Sequence, residues 1–168
     1  MKPQIIEYEL GIKKIIPTLH HDERGFLGEF FRQDWEDIFP NFSPSQFLIS
    51  QSKPGKIRAW HRHLKNQFDL LFVRKGTLMI CAYDGNENSE SFGKLVKIKS
   101  TSNIPELIFM PGHLWHGTKN IGAETSETIY LINNLYDYEN PDEERINYNN
   151  SSIIDPSTNR PFKWDVVN

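Results

Sequence analysis

One cysteine, Cys81, stands in a chain of 168 residues, so an internal disulfide is excluded. No apolar run approaches the roughly 18 residues a membrane-spanning helix needs, and Met1–Leu10 lacks a basic-then-apolar leader pattern. Basic residues are not in excess: 19 Lys and Arg stand against 22 Asp and Glu, for a net charge of -3, and they are scattered. Nucleic-acid binding usually needs a basic stripe, so nucleic acid is not the expected partner and any bound anion must be gripped locally. Neither a fixed-period repeat nor a low-complexity run is present. The expectation is a soluble cytoplasmic protein with no nucleic-acid or membrane partner.

Hydrophobic residues at 38% and charged residues at 24% exclude a disordered chain, and the length suits one domain over 1–168. Aromatic residues reach 12%, and short apolar runs are bounded by turn residues, which favours β structure. Ile57–His63 alternates, with Ile57, Ala59, His61 and His63 on one face; Gln67–Val73 and Thr77–Tyr83 flank the turn signal Lys75-Gly76. These three runs predict a meander. Further strands are expected at Phe47–Ser50, Phe92–Ile98, Glu106–Phe109 and Thr128–Asn133, and Gly85–Ser91 reads as a hairpin loop. Asp34–Phe39, with Asp34 as cap and Pro40 as stop, is the one helical turn expected in the first half. The tail from Tyr136 is polar yet carries Tyr136, Tyr138, Tyr148, Phe162 and Trp164, so it is expected to pack back across the strands. The pattern is all-β, a barrel or sandwich with minor helical segments.

The chemistry-bearing residues cluster in Arg58-Ala-Trp-His61-Arg-His63, then Gln67 and Asp69, and later Pro111-Gly112-His113-Leu-Trp-His116. Strand alternation sends the His61 and His63 imidazoles into one cavity. Two chemistries compete for them. A metal site would use His61, His63 and His116 with Asp69 or Gln67, leaving a coordination position for substrate. Metal-binding cupins carry a Glu shortly after the second histidine, where this chain has Gln67 and Phe68. The other chemistry is proton transfer, which imidazole suits because its ordinary pKa lies near working pH.

The stretch from Asp22 to about Ile146 resembles the dTDP-4-dehydrorhamnose 3,5-epimerase family, a branch of the cupins. Asp22-Glu-Arg-Gly-Phe-Leu-Gly-Glu-Phe is similar to the family's opening motif, which implies a diphosphate contact for Arg24 and ligand contacts for Phe26 and Glu29. Ser50-Gln-Ser-Lys-Pro-Gly-Lys-Ile-Arg-Ala-Trp-His resembles the segment ending in the catalytic histidine. That implies His61 as base, Arg58 as a phosphate contact and Ser50 as a ligand contact. The Pro-Gly…His-Gly likeness puts His116 near the sugar, and Thr-Ile-Tyr-Leu-Ile makes Tyr130 the proton donor. Leu-Tyr-Asp-Tyr-Glu-Asn-Pro-Asp-Glu-Glu-Arg-Ile resembles the segment that stacks on the base, implying Tyr136 or Tyr138 for stacking and Glu144 for the nucleotide.

Three departures stand out. Where the family has a lysine placed to stabilise an enolate, this chain has Asp69; His63 replaces a usual glutamine; and Asp165 is a candidate for the C-terminal aspartate that orients the base. The resemblance implies a cupin-type jelly-roll β-barrel, no cofactor and a homodimer whose N-terminal strands complete each other's sites. It also implies inversion at C3, C5 or both of a dTDP-4-keto-6-deoxyhexose through an enolate, with His63 or His116 near the developing charge. Arg58-Ala-Trp-His61-Arg-His63 with Gln67 also looks like the sugar 3,4-ketoisomerases. A metal-dependent cupin enzyme and a non-catalytic sugar-binding cupin are the remaining readings.

Overall fold

The computed structural model describes residues 2–166. Its strands, in chain order, are β1 (Gln4–Glu7), β2 (Lys13–Ile16), β3 (Leu19–Asp22), β4 (Gly25–Gly28), β5 (Gln46–Ser52), β6 (Ile57–Arg62), β7 (Phe68–Lys75), β8 (Thr77–Tyr83), β9 (Leu95–Thr101), β10 (Leu107–Pro111), β11 (Trp115–Asn120), β12 (Ser126–Ile132), β13 (Glu144–Arg145), β14 (Ile154–Asp155) and β15 (Arg160–Pro161). Two antiparallel sheets carry the fold, in the orders β1-β2-β10-β7-β12-β5 and β13-β6-β11-β8-β9. The only helices among the described residues are single 3₁₀ turns at Glu9–Gly11 and Trp164–Val166. The all-β expectation holds, in the form of a jelly-roll sandwich of two facing sheets.

The expected meander is not present. β6, β7 and β8 alternate between sheets: β6 pairs with β11, β7 with β10 and β12, and β8 with β11 and β9. Alternation within each run is a local property, whereas the pairing depends on where the partner strands arrive; β11, more than thirty residues on, inserts between β6 and β8.

Core packing explains the sequence patterns. Leu71 and Val73 of β7 and Leu78, Ile80 and Ala82 of β8 join Ile108, Met110 and Leu114 between the sheets. The alternate residues face outward. Met79, Cys81 and Tyr83 are covered by Ile153, Phe162 and Trp164 of the C-terminal segment, together with Trp60. β8 is therefore covered on both faces, which is why it reads as a nearly unbroken apolar run. Asp34–Phe39 is not a helix. It forms turns, closed by Ile38 and Phe39 amides donating to the Trp35 carbonyl, that lay Trp35, Ile38, Phe39 and Phe42 over Leu70, Leu107 and Phe109. Asp34 does not cap a helix; its carboxylate takes the Arg32 guanidinium. The strand expected from Phe92 begins at Leu95, because Ser89–Lys94 closes in tight turns. The aromatic tail packs back as expected, the Trp60 ring lying 5.5 Å from Phe162 and 5.0 Å from Trp164.

Candidate active site

A cavity of about 1190 Å³ opens between the two sheets. Its wall includes His61 and His63 from β6 and the residues just after it, Gln67 and Asp69 before and on β7, and Tyr130 on β12. Strand parity places them: Asp69 shares its face with the inward Leu71 and Val73, while Leu70 and Phe72 turn to the opposite layer. His116 on β11 sits directly across from His61 in the ladder. The two rings are 4.2 Å apart by centroid, and His63 stands 6.0 Å from His61 and 5.7 Å from His116. One ring nitrogen from each of the three lies within 4.8 Å of the others.

Hydrogen bonds orient two of these imidazoles. Nδ1 of His116 meets the Leu114 carbonyl at 2.7 Å, and Nδ1 of His63 meets the Asp142 carbonyl at 2.9 Å. A carbonyl only accepts, so Nδ1 carries a proton in both. His116 is 3% exposed, and its Nε2 has no hydrogen-bond partner although Asp69 Oδ2 is 3.5 Å away. The Gln67 amide donates to Asp69 Oδ1 at 2.7 Å.

Electrostatics sorts the groups by role. Burial, then the neighbouring His116, pushes the His61 pKa well below the ordinary histidine value, so the ring is a free base at neutral pH. For Asp69, burial opposes the charge, but His116, His63 and the Gln67 amide outweigh it and hold the carboxyl below its usual range. Tyr130 moves the other way: burial first, then the Asp69 charge, raises its phenol, which keeps its proton.

The other expected site residues divide. Ser50, Arg58, Tyr136 and Tyr138 line the cavity with His61, His63 and Tyr130. Arg58 is steadied by donating to Ser52 Oγ at 3.0 Å and to the Gln51 carbonyl at 2.8 Å. Tyr136 and Tyr138 lie 5.0 Å apart, edge to face. Arg24, Phe26 and Glu29 are not brought to the cavity within one chain: Arg24 pairs with Asp22 on the exposed β3–β4 hairpin, and Glu29 pairs with Arg32. Glu144 also points elsewhere, accepting from Arg62 at 2.7 Å, and Glu143 and Arg145 line the cavity instead. Period-two alternation accounts for that one-residue slip. Asp165 does not orient His61; its side chain is 92% exposed and pairs with Lys119 at 2.9 Å. The Asp142 carbonyl that holds His63 carried no signal in the sequence, because a backbone contact leaves no residue preference.

Comparisons with known proteins agree with this fold. The chain is 43% identical over 127 residues to a probable low-salt glycan biosynthesis epimerase of Haloferax volcanii, across 76% of this chain and 80% of that protein. The crystal structure of dTDP-4-dehydrorhamnose 3,5-epimerase from Elizabethkingia anophelis superposes with a TM-score of 0.81 at 26% identity, covering 98% of this chain and 93% of that one. A dTDP-6-deoxy-D-glucose-3,5-epimerase from Legionella pneumophila, solved with dTDP-4-keto-L-rhamnose, matches with a TM-score of 0.79 at 25% identity, covering 89% and 80%. The family profile described as dTDP-4-dehydrorhamnose 3,5-epimerase matches residues 10–156, and the chain therefore belongs to that family of sugar-nucleotide isomerases.

Proposed function

We propose that the chain, acting as a single domain within a homodimer, inverts C3, C5 or both of a dTDP-4-keto-6-deoxyhexose by proton transfer through an enolate. The observation that carries this reading is that His61 and Tyr130 line one cavity from facing sheets. A sugar held between them has a base on one face and an acid on the other. His61, neutral by burial, takes the proton from the carbon next to the C4 ketone; the C–H pair becomes the enolate; the Tyr130 hydroxyl returns a proton to the opposite face. Solvent then removes the proton from His61 and restores the one on Tyr130. Arg58 grips the diphosphate, with Arg24 reaching it from the second subunit, and this remote binding aligns the reacting carbon. Tyr136 and Tyr138 are the stacking surface for the base.

The test is incubation with dTDP-4-keto-6-deoxyglucose in heavy water, following the C3 and C5 protons by NMR. Exchange with inversion is expected, falling about 10²- to 10⁴-fold in His61→Ala and in Tyr130→Phe. Undiminished inversion in either variant would remove that residue from its role. Because His63 stands beside His61 in the cavity, sugar 3,4-ketoisomerisation is the second reading; it would announce itself as a 3-keto product independent of Tyr130.

A further inference from the structure

Strand β6 ends at Arg62, and its partner β13 is only two residues long, so their ladder closes on the pair Glu144 with Arg62 just before His63. Asp142 takes over from the ladder there. Its carboxylate accepts the Leu64 amide on Oδ1 at 3.0 Å and the Lys65 amide on Oδ2 at 2.9 Å. Its backbone carbonyl accepts Nδ1–H of His63 at 2.9 Å. One half-buried aspartate thus ties down three consecutive residues of the β6–β7 loop from a distant part of the chain.

The backbone and the ring of His63 are held by different partners. Its amide donates to the Gly112 carbonyl at 2.7 Å, whereas its imidazole is held by Asp142. A ring tied through Nδ1 offers Nε2 to other partners, and turning over would break that tie. The ring stands 6.0 Å from that of His61 on the wall of the cavity that also holds Tyr130. Bonds from amides to a carboxylate are charge-assisted and roughly twice as strong as neutral ones, so the Asp142 side chain fixes where its own carbonyl sits. Two further bonds join the same segments without touching His63: the Asn134 amide donates to the Lys65 carbonyl at 2.8 Å, and Lys65 Nζ donates to the Asn140 carbonyl at 3.4 Å. Loss of the Asp142 carboxylate therefore releases the carbonyl while these two bonds keep the segment nearby.

We propose that Asp142 is a positioning residue: its carboxylate fixes the segment 134–142 against the β6–β7 loop, and its carbonyl thereby holds the His63 ring with Nε2 toward the reacting sugar. A ring set before the sugar arrives needs no reorganisation during proton transfer. The same segment carries Tyr136 and Tyr138 on the cavity wall, so the seat of the base and the orientation of His63 share one anchor. The effect on turnover rests on the epimerase reading; the hold on the ring does not.

The experiment is a double-mutant cycle of Asp142→Ala and His63→Ala, read as kcat and KM for C3 and C5 exchange on dTDP-4-keto-6-deoxyglucose, with the His63 ring followed by proton–nitrogen NMR. Asp142→Ala should lower kcat about tenfold in the parent and less than about twofold in His63→Ala, where the ring it positions is already gone. In the parent, Nδ1–H of His63 should resonate as a proton protected from solvent exchange, and Asp142→Ala should abolish that protection. Folding is checked by circular dichroism; should Asp142→Ala not fold, Asp142→Asn, which keeps one acceptor oxygen, carries the same test with a loss of about threefold. Additive losses, a raised KM at parent kcat, a parent rate in His63→Ala, or a still-protected Nδ1–H in the folded Asp142 variant overturns the proposal. A parent protein that exchanges neither carbon, yet loses the protected Nδ1–H in Asp142→Ala, upholds the hold on the ring and sinks the epimerase reading alone.

Discussion

Cys81 is the one thiol, and its environment separates it from the chemistry. It lies fully buried on the outer face of β8, among Trp60, Met79, Tyr83 and the C-terminal aromatics. Burial pushes its pKa up to about 12 from an ordinary 9.0. Three pKa units lower the thiolate fraction about 1000-fold, and the thiolate is the nucleophile. The folded protein should therefore resist Ellman's reagent at pH 8 and react only as the C-terminal segment detaches or the chain unfolds. Rapid labelling without unfolding would mean that this segment does not stay seated. On β6 and β7 the same alternation brings opposite behaviour: His61 and Asp69 point between the sheets, where burial makes a base of the first and the imidazoles keep the second charged.

At the scale of elements, the contact between β6 and β11 sets the spacing of the site. A Cβ on Gly117 would stand 2.3 Å from Ala59 Cβ and 2.7 Å from the Arg58 carbonyl oxygen, so the glycine permits a close approach of two backbones. The ladder shifts register between His116 and Thr118, next to the pairing of His116 with His61. Gly117→Ala must push the strands apart there. The expected cost is about 1–3 kcal/mol in urea unfolding, and displacement of His61 by about 1 Å should cost about 100-fold in turnover. A variant with parent stability and parent exchange rate would show that the strand spacing is not critical. The strands themselves were legible because alternation is local: Ile57–His63 and Thr128–Asn133 were expected at positions that match β6 and β12 closely. Sheet membership was not, since the partners of β6 and β8 are set by β11, far along the chain. The shared facing of His61 and His63 followed from strand period. The role of Tyr130 came only from family likeness, because an isolated strand tyrosine reads as core. Glu144 was misplaced by one residue because the short β13 gives too little pattern to fix parity.

At the scale of the whole molecule, the residues left outside the cavity point to a second copy. Arg24 stands on the β3–β4 hairpin with Phe26 and Leu27, the latter 74% exposed. The six-stranded sheet ends in β1 and β5, whose Ile5, Ile6, Phe47 and Ile49 are also exposed. Open apolar edge strands invite pairing, and a homodimer would cover them while carrying Arg24 toward a neighbouring cavity. If Arg24 acts across the interface, His61→Ala and Arg24→Ala disable both sites of their own homodimers by different routes. Mixing the two variants and allowing subunits to exchange changes the outcome. In a heterodimer, the chain that keeps His61 receives an intact Arg24 from its partner, so one site is whole. Random exchange makes half of the dimers mixed with one good site in two, and exchange of the sugar protons should recover to about a quarter of the parent rate. If Arg24 served its own chain, no mixed dimer would contain a complete site, and the mixture would show only the average of the two variants.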